Sequence, residues 1–377
     1  VKNLFFYGTL AHQPLLELVL GRGFEAGQAE AASLPDFASH WVASQAYPML
    51  VARKGARADG LFVRDLSCED IARLDFYEGG FGYTLHSVSV ETVIGAKPAQ
   101  VYFPDHALAQ GDVWDLTDWV AEWGEMTLRA AHEAMGYFGK ISPHDLTQRF
   151  GAIRRRAASY IRGQGHLGPQ ADYGRADVTV VDKRTPYSNF YAVQEYDLRH
   201  RQFNGRMSPQ MERAVFVAYD AAIVLPYDPV RDCVLLVEQF RIGVYARGAQ
   251  KPWVMEPVAG HLDVGETPEQ AAIRETLEES GVLLSELIPI TNAYPSPGDS
   301  TEFFHIYLGL CDLGGAGGTI SGLAHEDEDI HSHILSFDEL MKFVSGGCTA
   351  AGGANVLPLV TAAYWLAINR DRLRKGA

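Results

Sequence analysis

The stretch Gly260 to Val282, GHLDVGETPEQAAIRETLEESGV, constrains this chain more than any other. Its second half carries helix signals at both ends: Thr267 can cap, Pro268 suits the first helical position, Gln270 completes a capping box, and Gly281 suits a left-handed stop. At about 100° per residue, Glu275, Glu278 and Glu279 share one face, and Ile273 and Leu277 fall on the opposite side, expected to face the core. Carboxylates at i, i+3 and i+4 repel one another, so a helix that gathers them needs a compensating charge. A hard divalent cation is the simplest candidate, and a merely solvated acidic face is the other reading the residues allow.

The spacing of Gly260, Glu266, Arg274, Glu275, Glu278, Glu279 and Gly281 fills the fixed positions of the box that defines the Nudix hydrolases, and the chain resembles that family. Thr276 stands where the family usually has an aliphatic residue, a change expected to affect packing and no ligand.

A chain of 377 residues with 47% hydrophobic content is long enough for two or three domains with packed cores. The formal net charge of −15 argues against a nucleic-acid partner held by a broad basic surface. Cys68, Cys233, Cys311 and Cys348 are scattered without metal-site spacing and read as reduced thiols of a cytoplasmic protein. The sequence has no long uninterrupted apolar run and no secretory pattern at its start, so no membrane partner is expected.

The N-terminal strand Leu4-Phe5-Phe6-Tyr7 runs into the turn Gly8-Thr9-Leu10. Further strands are expected at Asp59 to Val63 and Ser87 to Val93, with a short helix from Cys68 to Leu74. The motif YGTL (Tyr7 to Leu10), the later LDFYEG (Leu74 to Gly79) and the following Tyr83 resemble the gamma-glutamylcyclotransferase-like family over about the first 105 residues. That resemblance implies a small barrel with Tyr7, Gly8, Thr9 and Leu10 at the floor of its cavity. It makes Glu78 the carboxyl that moves protons while a substrate's alpha-amine attacks its own gamma-carbonyl and 5-oxoproline leaves. A domain kept for folding or binding is the alternative.

Residues 106–165 read as a helical connector, with helices from Trp114 to Phe138 and from Ser142 to Arg162 and Trp114, Trp119, Trp123, Leu128 and Met135 packing. Arg154, Arg155 and Arg156 read as a solvated helix face or as ion-pair partners, with a phosphate or partner patch as the alternative. The glycine-rich segment from Gly163 to Gly174 reads as a linker.

A second domain, 166–377, opens with strands expected at Val178 to Val181, Phe190 to Phe203, Ala214 to Leu225 and Cys233 to Arg241. From about residue 178 to the C-terminus the sequence resembles bacterial ADP-ribose pyrophosphatases, through FYAVQEYDLRHRQFNGRMS, WVMEPVAGHLDVGE, YPSPGDSTE and the HEDEDI segment at 325–330. The resemblance implies an α+β chain: the small barrel, the connecting helices and a Nudix α/β/α sandwich. It implies hydrolysis of ADP-ribose to AMP and ribose 5-phosphate with Mg²⁺, for which Mn²⁺ can substitute. The Ala259 carbonyl, Glu275, Glu279 and Glu328 would bind metal, Glu278 would assist, Glu326 would act as the base on water, and Arg274 would fix the cluster. Phe190 would stack on adenine, Arg213 and Arg241 would meet the diphosphate, Glu302 would accept ribose hydroxyls, and Pro297 marks the ADP-sugar subgroup. Strands 178–215 would cross to a second subunit, giving a homodimer. The segment Val217 to Asp220 lacks the Arg and Gly-His of near relatives, which points to relaxed specificity among ADP-sugars. Two alternatives stay open: a gamma-glutamylcyclotransferase as the main activity, or an ADP-ribose sensor that regulates the N-terminal domain.

Overall fold

Leu4, Phe5 and Phe6 are buried on both faces of β1 (Lys2–Phe6), as befits a strand inside a closed sheet. The structure is a computed structural model that describes residues 1–165, 173–318, 320–322, 328–346 and 356–376. The chain divides into two units, Val1–Gln170 and Ala171–Ala377.

In the first unit, α1 (Gln13–Leu20), β2 (Ala29–Val42), β3 (Pro48–Leu66) and α2 (Cys68–Glu78) follow β1. Then come β4 (Tyr83–Thr92), β5 (Gly95–Pro104), β6 (Gln110–Val113), α3 (Leu116–Trp119), α4 (Glu125–Met135) and α5 (Pro143–Gln164). The sheet runs β3-β1-β5-β4-β2, and β2 pairs back onto β3, so five strands close a barrel, with β6 appended to β2. Phe5, Tyr7, Leu34, Phe62 and Val101 pack together in it.

The helices of residues 116–164 pack onto this barrel unit, α4 against α1 and α5 against α2. Arg156 donates to Glu133 at 2.6 Å and clasps α5 to α4. Removing one partner of such a buried pair costs about 3–5 kcal/mol. Gly80 matters here: a Cβ would meet the Pro143 carbonyl oxygen at 2.6 Å, so only glycine lets the start of α5 approach the end of α2. The expected helix Trp114 to Phe138 is helical from Leu116 to Met135, with a π turn at Val120–Gly124 between α3 and α4.

The second unit opens with β7 (Val178–Ser188), β8 (Ala192–His200) and β9 (Met211–Val217), a separate three-stranded sheet. It continues through β10 (Asp220–Asp228), β11 (Cys233–Phe240), α6 (Ile242–Ala246), β12 (Trp253–Glu256), β13 (Val258–His261), α7 (Pro268–Ser280), β14 (Leu284–Ala293) and β15 (Phe303–Cys311). Last come β16 (Ile320–Ser321), β17 (Ile330–Ser336), α8 (Phe337–Ser345) and α9 (Leu357–Lys375). The large sheet is ordered β14-β15-β10-β11-β17-β16, with β12 on β11 and β13 on β10. Ala271 and Ala272 of α7 pack on one face with Val224, Leu235 and Val258. Leu340 of α8 and Leu359 and Leu366 of α9 cover the other with Leu225 and Leu236. This is an α/β/α sandwich, and the whole chain is α+β.

The expected single strand Ala214 to Leu225 is two strands in two sheets. The break at Ala218-Tyr219 is clasped by Thr301, whose hydroxyl accepts from the Ala218 N–H at 3.0 Å. The expected long strand from Phe190 is shorter, with Phe190 and Tyr191 lying before β8. Among the described residues no helix is long and apolar enough to cross a membrane.

Candidate functional site

The capping signals around α7 are all realised. Thr267 Oγ1 accepts from the Gln270 N–H at 3.2 Å, Gln270 accepts from the Thr267 N–H at 2.8 Å, and Gly281 sits at φ 68°. Such a cap stabilises by about 1 kcal/mol. The inward face is the reverse of the sequence expectation. Ile273 and Leu277 are 51% and 48% exposed, and the side packed against the sheet is Ala272, Thr276 and Glu279. Thr276 is fully buried and satisfies its hydroxyl by donating to the Ala272 carbonyl at 2.7 Å. The helix therefore presents small residues and a carboxylate inward, where an apolar stripe would be the usual choice.

Glu279 is 1% exposed and accepts from the Ala259 N–H at 3.2 Å. In a strand the N–H and C=O of one residue point the same way, so the Ala259 carbonyl is also directed off the edge of β13 toward α7. Burial pushes the Glu279 carboxyl well above the usual carboxylate range, and the negative charges of Glu275 and Glu328 push it further. Glu275 lies across β13 at Gly260, where a Cβ would come 1.9 Å from its carboxyl carbon. Glycine at 260 is thus a condition of the site.

Arg274 binds this cluster together. It donates to both oxygens of Glu266 at 2.9 Å, to Glu275 at 2.7 Å and to Glu278 at 3.0 Å. These bonds, led by those to Glu266, hold its guanidinium charged. Burial would raise Glu266, and the Arg274 bonds, the Asp263 N–H and the charge of Arg274 together hold it below its ordinary pKa. Glu275, Glu279, Glu328 and the Ala259 carbonyl form a set of hard oxygen donors, and the buried repulsion between Glu275 and Glu279 is what a divalent cation would relieve. The residues fit the metal. Glu326 lies outside the described residues.

Arg241 extends the site. It donates to Glu256 at 2.7 Å, and its charge also reaches Glu279, Glu302 and Tyr191. Burial raises Glu302 and Glu256, with Arg241 opposing in both. Phe190 is 49% exposed and meets Tyr219 and His261 edge-on at 5.6 and 6.0 Å. The Tyr219 hydroxyl donates to the Phe190 carbonyl. Pro297 is exposed in the turn between β14 and β15, which bonds to β9 through Phe216 N–H and Asp299 O at 2.8 Å. Arg213 stands apart, exposed on β9 and donating to the Glu212 carbonyl at 2.8 Å.

A second constellation, invisible in the sequence, lies on the opposite face of the large sheet: Glu238, His331 and His333, whose ligand atoms all fall within 4.8 Å of one another. The His333 Nε2 to Glu238 Oε2 distance is 2.8 Å. The α7 carboxylates are on the other face and take no part in it.

In the first unit, Tyr7, Gly8, Thr9, Leu10 and Glu78 meet in a cavity of about 500 Å³. Tyr77, Tyr83 and Tyr102 also line it, and Tyr102 is oriented by donating to Asp75 at 2.7 Å. Burial alone pushes the Glu78 carboxyl up to about 7. Burial likewise raises the hydroxyls of Tyr7, Tyr77, Tyr83 and Tyr102, and the nearby Glu78 adds to each. The barrel does not close this cavity by itself. Trp119 of α3 and Thr147, Phe150, Gly151 and Arg154 of α5 form part of its wall. The expected basic triplet is thereby divided, since Arg156 pairs with Glu133 while Arg154 faces the cavity.

Comparison with known proteins identifies the class to which this carboxylate helix, docked on a mixed sheet between two helical layers, belongs. The NUDIX domain model matches residues 218–347, and the model for gamma-glutamyl cyclotransferase, AIG2-like, matches residues 4–121. The ADP-ribose pyrophosphatase of Escherichia coli strain K12 is 38% identical over 202 residues, 54% of this chain and 93% of the relative. That of Haemophilus influenzae is 32% identical over 206 residues, 54% of this chain and 92% of the relative. The GDP-mannose pyrophosphatase of Pectobacterium atrosepticum is 29% identical over 170 residues, 45% of this chain and 86% of the relative. The chain belongs to the Nudix family: it is a Nudix hydrolase carrying an N-terminal domain of the gamma-glutamyl cyclotransferase type.

Proposed function

We propose that the second unit hydrolyses the diphosphate of ADP-ribose, or of a related ADP-sugar, to AMP and ribose 5-phosphate, and requires Mg²⁺ or Mn²⁺ to do so. The observation that carries this reading is the buried Glu279 beside Glu275 and Glu328, with the Ala259 carbonyl directed at the same place. Water attacks a diphosphate poorly because the phosphate oxygens are negative. Divalent ions held by those groups would neutralise the oxygens and make water a better nucleophile. Arg274 keeps Glu275 and Glu278 in position, Arg241 meets the diphosphate, Glu302 accepts ribose hydroxyls and Phe190 offers its ring to adenine. The proposed base, Glu326, would take a proton from water as its oxygen bonds one phosphorus and the bridging oxygen leaves with the other phosphate. Incubation with ADP-ribose and Mg²⁺ should give equimolar AMP and ribose 5-phosphate, and no AMP at any metal concentration would sink the reading.

A homodimer through strands 178–215 belongs to the same proposal. Val178, Val180, Val181, Tyr187 and Phe216 are all more than 40% exposed on the three-stranded sheet. A small sheet with apolar side chains in water gains stability from a second packed layer, and Phe190 and Arg213 would then serve the partner's site. Sedimentation of the full chain tests it.

For the first unit we propose cyclisation of a gamma-glutamyl compound, a reading favoured by a Glu78 carboxyl poised near neutrality. Glu78 would accept a proton from the alpha-amine as its nitrogen bonds the gamma-carbonyl carbon. It would return that proton to the departing amine as the original amide bond breaks, releasing 5-oxoproline. Release of 5-oxoproline by the wild type and its loss in Glu78→Gln is the test.

A further inference from the structure

The helix α5 lies beyond the residues 4–121 that match the cyclotransferase model, yet it forms a wall of the cavity. Thr147, Phe150, Gly151 and Arg154 recur at i, i+3, i+4 and i+7, one stripe of a helix, and all four line the space. Arg154 brings a guanidinium to that stripe. The groups whose charge it senses are the hydroxyls of Tyr77 and Tyr47, both raised by burial and therefore neutral at neutral pH. No carboxylate among the described residues pairs with it, and Glu78 is shifted by burial alone, without help from Arg154. Burial draws the Arg154 guanidinium below its ordinary pKa, as expected of a cation withdrawn from water before its counter-ion arrives. Its neighbour Arg156 shows the usual outcome, a buried guanidinium already paired with Glu133. When Glu78 is protonated, no other carboxylate of the cavity lining balances the charge Arg154 brings, in a volume suited to a small metabolite.

We propose that Arg154 is the binding residue for a carboxylate of the small molecule that the N-terminal cavity takes, so that the cavity selects anionic ligands. The proposal rests on the cyclotransferase reading for its choice of probe. In gamma-glutamyl compounds that carboxylate has two sources, the alpha-carboxylate of the glutamyl part or a carboxylate on the leaving amine. A guanidinium supplied by α5 holds the ligand by its charge while Glu78, elsewhere on the wall, is free to move protons.

The test uses the full chain with gamma-glutamylalanine, which has both carboxylates, and gamma-glutamylethylamide, which has only the glutamyl one. Arg154→Gln should raise KM about thirtyfold for at least one of them with kcat within about threefold, the size expected for a lost charge-assisted hydrogen bond. Loss on the dipeptide alone assigns the carboxylate to the leaving group, and equal loss on both assigns it to the glutamyl part. Arg154→Lys should recover part of the loss, and added guanidinium should restore Arg154→Ala. A KM unchanged for both probes, or a loss that neither lysine nor guanidinium recovers, overturns the proposal. Absence of 5-oxoproline from the wild type would defeat the cyclotransferase reading by itself. Calorimetry with gamma-glutamylalanine then decides on its own: binding to the wild type that Arg154→Gln weakens about thirtyfold upholds the role of Arg154, and no binding to the wild type ends it.

Discussion

Glu279 and Glu78, one carboxyl group from each unit, are both raised by withdrawal from water, and their company differs. Glu279 is buried in a crowd of its own kind, with Glu275 on the same helix face and the charge of Glu328 within reach. Glu78 is half-buried with its carboxyl among tyrosines, and withdrawal from water alone sets its proton affinity. Crowded carboxylates compete for whatever positive charge arrives, and a divalent ion outbids a proton because it serves several at once. An isolated carboxyl among neutral hydroxyls settles near neutrality and exchanges a proton instead. On the proposed reading, the same side chain suits one unit to phosphate chemistry and the other to proton transfer.

The sharpest way to break this contrast is a pair of isosteric changes. Glu279→Gln should lower AMP formation from ADP-ribose about a thousandfold or more, and leave 5-oxoproline release unchanged. Equal loss of both activities would show that the two sites are not independent. Glu78→Gln should do the reverse, lowering 5-oxoproline release by about a hundred- to a thousandfold. The wild-type kcat/KM for that release should climb as pH rises through about 7, where Glu78 becomes a base.

Next in size is a stability effect. A Glu78 pKa raised from 4.5 to about 7 means that the folded state holds a proton the unfolded chain has released. The associated stability is fully present below about pH 4.5 and is lost as pH rises to about 7, amounting to about 3 kcal/mol. Urea midpoints of the first unit's transition at pH 5 and pH 7.5 should show this fall in the wild type and not in Glu78→Gln. Smallest is Arg274→Ala. Freed from their common partner, Glu266, Glu275 and Glu278 lose alignment, and the Mg²⁺ concentration for half-maximal hydrolysis should rise about ten- to a hundredfold.

Much of the second unit was legible because its signals are local. Thr267, Gln270 and Gly281 specify α7 through bonds within a few residues of one another, and the spacing of the carboxylates follows from the helix period. Which face turned inward was not legible. Apolar Ile273 and Leu277 are the natural choice for the core, but the cluster of Glu275 and Glu279 has to reach β13, and small Ala271 and Ala272 allow it. The split at Ala218-Tyr219 was hidden for another reason: both halves have strand propensity, and the bonds that hold the break, such as the clasp by Thr301, are long-range. The Glu238, His331 and His333 grouping depends on the register of β11 against β17, which no local pattern encodes. Arg154 sat in plain view within a basic triplet. The clue was the polar and aromatic stripe Thr147, Phe150, Gly151 and Arg154, which is too mixed for a core face and too regular for a solvated one.

Because α5 walls the barrel's chamber, the unit of inheritance and the unit of chemistry differ in length. Homology marks the cyclotransferase-like segment as 4–121, while the enclosure runs on through Arg154. Any transplant of the barrel into another chain must carry the helices to residue 164 with it, or the recipient will gain a fold with an open side and an exposed Glu78.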